Sequence, residues 1–137
     1  MNATRWIAGL MDQLNDGGAV HFPSLVAPYL GQAQGAFYAA TKTACLAHAR
    51  SWSTALAPRK IRVNSVAPGP IDTRFVELTG MSEDKQKEFA EQVTQQVPLG
   101  RFGEAEEAAK IALFLLSDDA SYVTGSEYLV DGGMTKR

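Results

Sequence analysis

Two changes of period, close together, limit what this chain can fold into. From Gly35 to about Leu56 the sequence is an alanine-rich helical run, closed by Pro58. From Lys60 to Ala67 it becomes a strand rich in β-branched residues, broken off by Pro68-Gly69-Pro70. A shorter strand, Ala19 to Phe22, precedes the helix. A further clear helix runs from Glu104 to Leu116, and Ser126 to Val130 reads as a last strand. Strands alternating with helices need crossover connections, and these build a parallel sheet with helices on its faces. The expected class is α/β, with about three parallel strands of a doubly wound sheet.

The remaining segments fit one domain over residues 1–137. Ala3 to Leu14 carries Trp6, Ile7, Leu10, Met11 and Leu14 at helical spacing, and Asn15-Asp16-Gly17-Gly18 stops it. Pro23 falls at the end of the first strand, where a central strand should hold no proline, and Ser24 to Gln34 reads as a loop. Residues 71–97 form a helical, lid-like insert, in which Ser82 is placed to cap a polar helix reaching about Gln96. In the last helix, Ala108, Ile111, Ala112, Leu115 and Leu116 are the expected buried face.

Composition excludes several functions. The net charge of −2 offers no basic surface for nucleic acid. A single cysteine, Cys45, excludes a disulfide framework within the chain and a cysteine metal cluster, and no other metal-ligand pattern stands out. Cys45 reads as a small buried thiol. No apolar run approaches the ~20 residues that span a bilayer, and no secretion signal opens the chain, so a cytoplasmic location is expected.

The chemistry-bearing residues are Tyr38 and Lys42, one helical turn apart in Tyr38-Ala39-Ala40-Thr41-Lys42. That spacing stacks both side chains on one helix face. A cation close to a phenol favours its ionised form, which suits an acid/base group. His48 lies on the same helix but off this face.

Around that pair, Ile61-Arg-Val-Asn-Ser-Val-Ala-Pro-Gly69, Pro98-Leu-Gly-Arg-Phe-Gly103, Phe114-Leu-Leu-Ser-Asp118, Ala120-Ser-Tyr-Val-Thr-Gly125 and Val130-Asp-Gly-Gly133 follow in order. Together they resemble the short-chain dehydrogenase/reductase family, over nearly the whole chain. The resemblance implies a Rossmann-like fold and hydride transfer between NAD or NADP and a small-molecule alcohol or carbonyl. It implies Tyr38 as proton donor to the carbonyl oxygen, and Lys42 as the residue that stabilises the phenolate and holds the nicotinamide-ribose hydroxyls. Pro68 and Gly69 would bound the nicotinamide pocket, Ile71 would offer its backbone to the carboxamide, and Thr73 would reach the pyrophosphate.

The sequence departs from the family pattern in three respects. No glycine-rich phosphate loop lies ahead of Tyr38; counting back from Tyr38 at the family's spacing ends on Leu25 where a serine is expected, which leaves the adjacent Ser24 as the candidate catalytic serine; and Pro23 stands next to it in what should be a central strand. The expectation is therefore an oxidoreductase by resemblance, impaired or inactive as this isolated chain. The alternative is a non-catalytic truncated homologue acting as a dimerisation or assembly module. In that family the corresponding helices pack between subunits, so a homo-oligomer through helices 3–14 and 35–56 is expected.

Overall fold

The computed structural model describes residues 12–31, 35–73 and 80–136. Its sheet has three parallel strands in the order β1 (Ala19–Pro23), β2 (Arg62–Pro68) and β3 (Glu127–Val130). Helix α1 (Ala36–Leu56) joins β1 to β2, while α2 (Glu83–Gln96) and α3 (Ala105–Leu116) lie between β2 and β3. The expected α/β layering is thus present, with α1 on one face and α3 on the other.

Strand β2 is central, and its residues from Val63 to Ala67, the polar Asn64 and Ser65 included, are buried. Val63 points into a cluster with Ala49 and Leu56 of α1 and with Ile61, to which Val20, Phe22, Trp52 and Leu14 add their apolar surfaces. Val66 points the other way, against Leu115 of α3 and Ala120. The polar residues of β2 work as ties. Asn64 donates from Nδ2 to the Val123 carbonyl at 2.8 Å and accepts the Ser126 N–H at 3.1 Å. Arg62 donates to the carbonyls of Leu115 (2.7 Å) and Ser117 (2.8 Å), satisfying the C-terminal end of α3 where a cation is favoured.

Several expectations are corrected by the backbone. Pro23 is accommodated as the last residue of β1. The bonds Arg62 N–H to Gly18 O and Ser24 N–H to Val66 O show that even-numbered residues of β1 face β2. The nitrogen of Pro23 therefore faces the open edge, where no ladder bond is lost. Ser82 occupies the N-cap position of α2 but makes no side-chain cap. The start of α3 is held instead by a capping box between Glu104 and Glu107. Leu116 is exposed and Cys45 is half-buried rather than buried. The helix expected at 3–14 lies outside the described residues, apart from residues 12–14, which form a turn and a bend.

A large-to-small change at a buried core position destabilises by its lost transfer energy plus the cavity it leaves. Leu115 is 1% exposed and Leu113, on the same helix, 68%. Leu115→Ala is expected to lower unfolding free energy by about 2–5 kcal/mol, and Leu113→Ala by less than about 0.5 kcal/mol, measured by urea denaturation.

Candidate active site

The carboxyl ends of the three strands gather most of the residues singled out above. Tyr38 lies in the first turn of α1, 52% exposed. The Lys42 Nζ is 5.8 Å from the centroid of the Tyr38 ring, so the helical spacing does bring the two groups together. The same ammonium reaches the Pro23 carbonyl at 3.5 Å, which fixes the start of α1 beside the end of β1. The next residue, Ser24, is 2% exposed, and its Oγ is buried without a hydrogen-bond partner. Its N–H donates to the Val66 carbonyl at 2.9 Å, continuing the ladder one residue past the proline. Leu25, one position on, is only half-buried. A buried orphan hydroxyl is costly to keep. Here it sits next to the residues that hold Lys42.

Pro68 ends β2, and Gly69 donates its N–H to the Val130 carbonyl at 2.9 Å. A Cβ on Gly69 would stand 2.7 Å from the Cα of Asp131, so glycine is required there by the close approach of two strand ends. Ile71 lies opposite Gly103 in an isolated parallel bridge. That bridge is made by Gly103 N–H to Pro70 O and Asp72 N–H to Gly103 O, leaving the N–H and C=O of Ile71 directed away from Gly103. Thr73 is exposed two residues later.

A cavity of about 490 Å³ is lined by the apolar Pro70, Pro98, Leu99, Leu129 and Val130 together with Arg101 and Glu107. Arg101 donates twice to the Glu107 carboxylate, at 2.8 Å each. Those bonds, with the Glu104 N–H, hold Glu107 down at about 2. Asp131, which also lines the cavity, is pushed up by burial, but bonds from Thr135 and Gly133 outweigh this and leave it below its ordinary value. Burial alone lowers His21, which sits on β1 with Nε2 buried and unpartnered. Among the described residues no three His, Cys, Asp or Glu side chains are grouped to hold a metal ion, and no helix is long and apolar enough to cross a membrane.

The family model described as enoyl-(acyl carrier protein) reductase matches residues 2–135. The chain belongs to the short-chain dehydrogenase/reductase family. It is 40% identical over 133 residues to the 3-oxoacyl-[acyl-carrier-protein] reductase FabG of Thermotoga maritima, covering 97% of this chain and 51% of that one. It is also 40% identical over 121 residues to dehydrogenase/reductase SDR family member 4 of Homo sapiens, covering 88% of this chain and 42% of the relative. Among solved structures, an angucycline C-6 ketoreductase, LanV, with bound NADP superposes with a TM-score of 0.85 at 27% identity, covering 98% of this chain and 50% of that one. The chain thus spans about half the length of the relatives it matches.

Within this short-chain dehydrogenase portion, sequence spacing predicts the proximity of Tyr38 and Lys42, while the count from Tyr38 falls on Leu25 and leaves the neighbouring candidate Ser24 one residue off. The buried hydroxyl belongs to Ser24 because β1 carries its ladder one residue past Pro23, which a count from Tyr38 does not reveal. The Arg101–Glu107 pair was also missed. Its signal was available in the Glu104 to Glu107 capping-box spacing. Because the folded value of Glu107 lies below its ordinary 4.5, the pair stabilises fully above that pH and fades as pH falls toward 2. Glu107→Gln is therefore expected to lower the urea midpoint slightly near neutral pH, with the difference closing near pH 2.

Proposed function

We propose that this chain carries the acid/base half of an NAD- or NADP-dependent oxidoreductase acting on an alcohol or carbonyl. The observation that supports the reading is the Lys42 ammonium placed both beside the Tyr38 ring and at the Pro23 carbonyl, one residue before the unpartnered Ser24 hydroxyl at the end of β1. A carbonyl oxygen at Tyr38 would take a proton from the phenol, and the Ser24 hydroxyl, buried as it stands, would reach that oxygen only after the segment around it shifts. Lys42 supplies positive charge beside the phenol as the proton leaves, and its ammonium has donors to spare for ribose hydroxyls. When bound, the nicotinamide supplies or takes the hydride. Ile71, with its backbone turned away from Gly103, suits the carboxamide; Pro68 and Gly69 bound that side, and Thr73 would reach the pyrophosphate. The residues fit the nicotinamide-ribose end of such a cofactor. They offer nothing equivalent for the adenine end, since no glycine-rich turn precedes Tyr38 in the sequence. We infer that residues 1–137 alone bind the cofactor weakly and turn over poorly, in a cytoplasmic setting. The substrate is a small molecule whose tail reaches the apolar cavity beside Pro70.

The test is titration of the purified chain with NADH and NADPH, followed by fluorescence. Weak binding that Lys42→Ala abolishes is the expected result, and no binding at millimolar cofactor overturns the stand-alone enzyme. If turnover is measurable, Tyr38→Phe should lower kcat by about 10²–10⁴-fold.

A second reading, an assembly module, is favoured by one observation. Ala40, Ala44, Ala47, Ser51 and Ala55 line an exposed face of α1, and Phe37 beside them is 93% exposed. Small side chains let a second helix approach closely, which supports a homo-oligomer through 35–56 and 3–14. The mass in solution checks this: Ala44→Arg is expected to convert an oligomer to monomer, and an unchanged mass overturns this contact.

A further inference from the structure

The segment between Ser24 and α1 is held at three points. Its start is fixed by Ser24 N–H to Val66 O at 2.9 Å and by Val26 N–H to Pro68 O at 3.2 Å. Its middle is fixed by Val26, buried with Val97 and Met134, against which Leu30 packs. The third point is a side-chain contact across 98 residues of sequence. Tyr29 closes a 3-10 turn, Ala27–Tyr29, and its hydroxyl donates to Oε2 of Glu127, the first residue of β3. This turn packs against α1, the helix that bears Tyr38 and Lys42.

The contact has more at stake than an ordinary surface hydrogen bond. Glu127 Oε1 is buried and accepts nothing. A carboxylate drawn partly out of water with one oxygen unsatisfied depends on the bond made by the other. The Glu127 hydrogen bond, burial and the Glu127 charge all raise the Tyr29 hydroxyl above its ordinary value, outweighing Arg50, so the phenol stays a donor. The end of the turn is otherwise held by Tyr29 N–H to Val26 O at 2.8 Å and Leu30 N–H to Ala27 O at 3.2 Å, both internal to the segment, and by the packing of Leu30.

We propose that Glu127, acting through Tyr29, is a positioning residue for the segment 24–31 and thereby sets where the Ser24 hydroxyl stands. The role of Ser24 rests on the oxidoreductase reading above; the clamp itself does not. Removing the acceptor releases the turn, and the segment then opens locally while the sheet beneath it stays formed.

Thiol chemistry reads this directly and needs no turnover. In the full chain with Cys45→Ser, Ser24→Cys places a thiol at the buried position, and its alkylation by iodoacetamide is timed. Glu127→Leu and Tyr29→Phe are each expected to speed alkylation by about tenfold or more. Glu127→Gln, which keeps an acceptor oxygen, should stay within about threefold of the parent. A parallel thiol from Ala49→Cys, buried in the α1 cluster, should not accelerate. Equal acceleration at both thiols would mean general loosening and would overturn the proposal, as would no acceleration at Ser24→Cys. Should Ser24→Cys not fold, exchange of the Tyr29 and Leu30 amide hydrogens decides the matter. It should quicken in Glu127→Leu while the Gly69 amide, bonded to Val130, is unchanged; unchanged exchange at Tyr29 and Leu30 overturns it. None of these readouts depends on NADH or NADPH, so a failure of cofactor binding leaves the clamp standing and a failure of the clamp leaves the oxidoreductase reading standing.

Discussion

Strand β2 has no face on solvent, and the rest of the described structure follows from covering it. Val63 and Val66 point to opposite sides and need an apolar partner on each. Helices α1 and α3 provide these, and β1 and β3 occupy the two edges. The covering is also a polar problem. Every buried N–H and C=O of a central strand must be satisfied, and Asn64 satisfies two neighbouring backbone groups where the chain turns into β3. Arg62 does the same for the exposed carbonyls that end α3. The mid-sequence strand is thus both the apolar centre and the place where three segments are tied.

The candidate site is a by-product of this arrangement. Parallel strands must all end on the same side, so the C-terminal ends of β1, β2 and β3 and the N-termini of the helices that follow gather at one edge. Tyr38 and Lys42 come from the helix after β1, Ser24 from the end of β1, and Pro68 and Gly69 from the end of β2. No two of these segments are close in sequence except the first pair. The sheet brings the others within reach.

How much of this was legible depended on the kind of signal. The period changes around Tyr38 and Lys60 gave the layers correctly, because amphipathic spacing is what packing against a sheet selects. The four-residue spacing of Tyr38 and Lys42 gave their proximity, because helix geometry is fixed locally. Ser24 was harder. Its place depends on whether β1 pairs through Pro23, and a proline argues against pairing unless one knows which edge its nitrogen faces. Tyr29 and Glu127 carry no local pattern at all. Their contact exists only because the loop after β1 folds over toward β3. Gly69 was read as a pocket residue, and the structure adds a packing reason for it, the approach of Asp131.

One feature of α1 has a mechanical side. Its buried residues are Leu46, Ala49, Ser53 and Leu56, all in the second half of a helix that begins at Ala36. The stretch from Tyr38 to Leu46, a reach of about 12 Å at the rise of an α-helix, therefore extends past that buried anchorage and is propped by the Lys42 bond to the Pro23 carbonyl. Such a helix behaves as a cantilever. A tilt of about five degrees at Leu46 moves the phenol by about 1 Å, a displacement large enough to cost about 10²-fold in a reaction that depends on alignment. Whatever stiffens that stretch sets where the Tyr38 phenol stands without touching it.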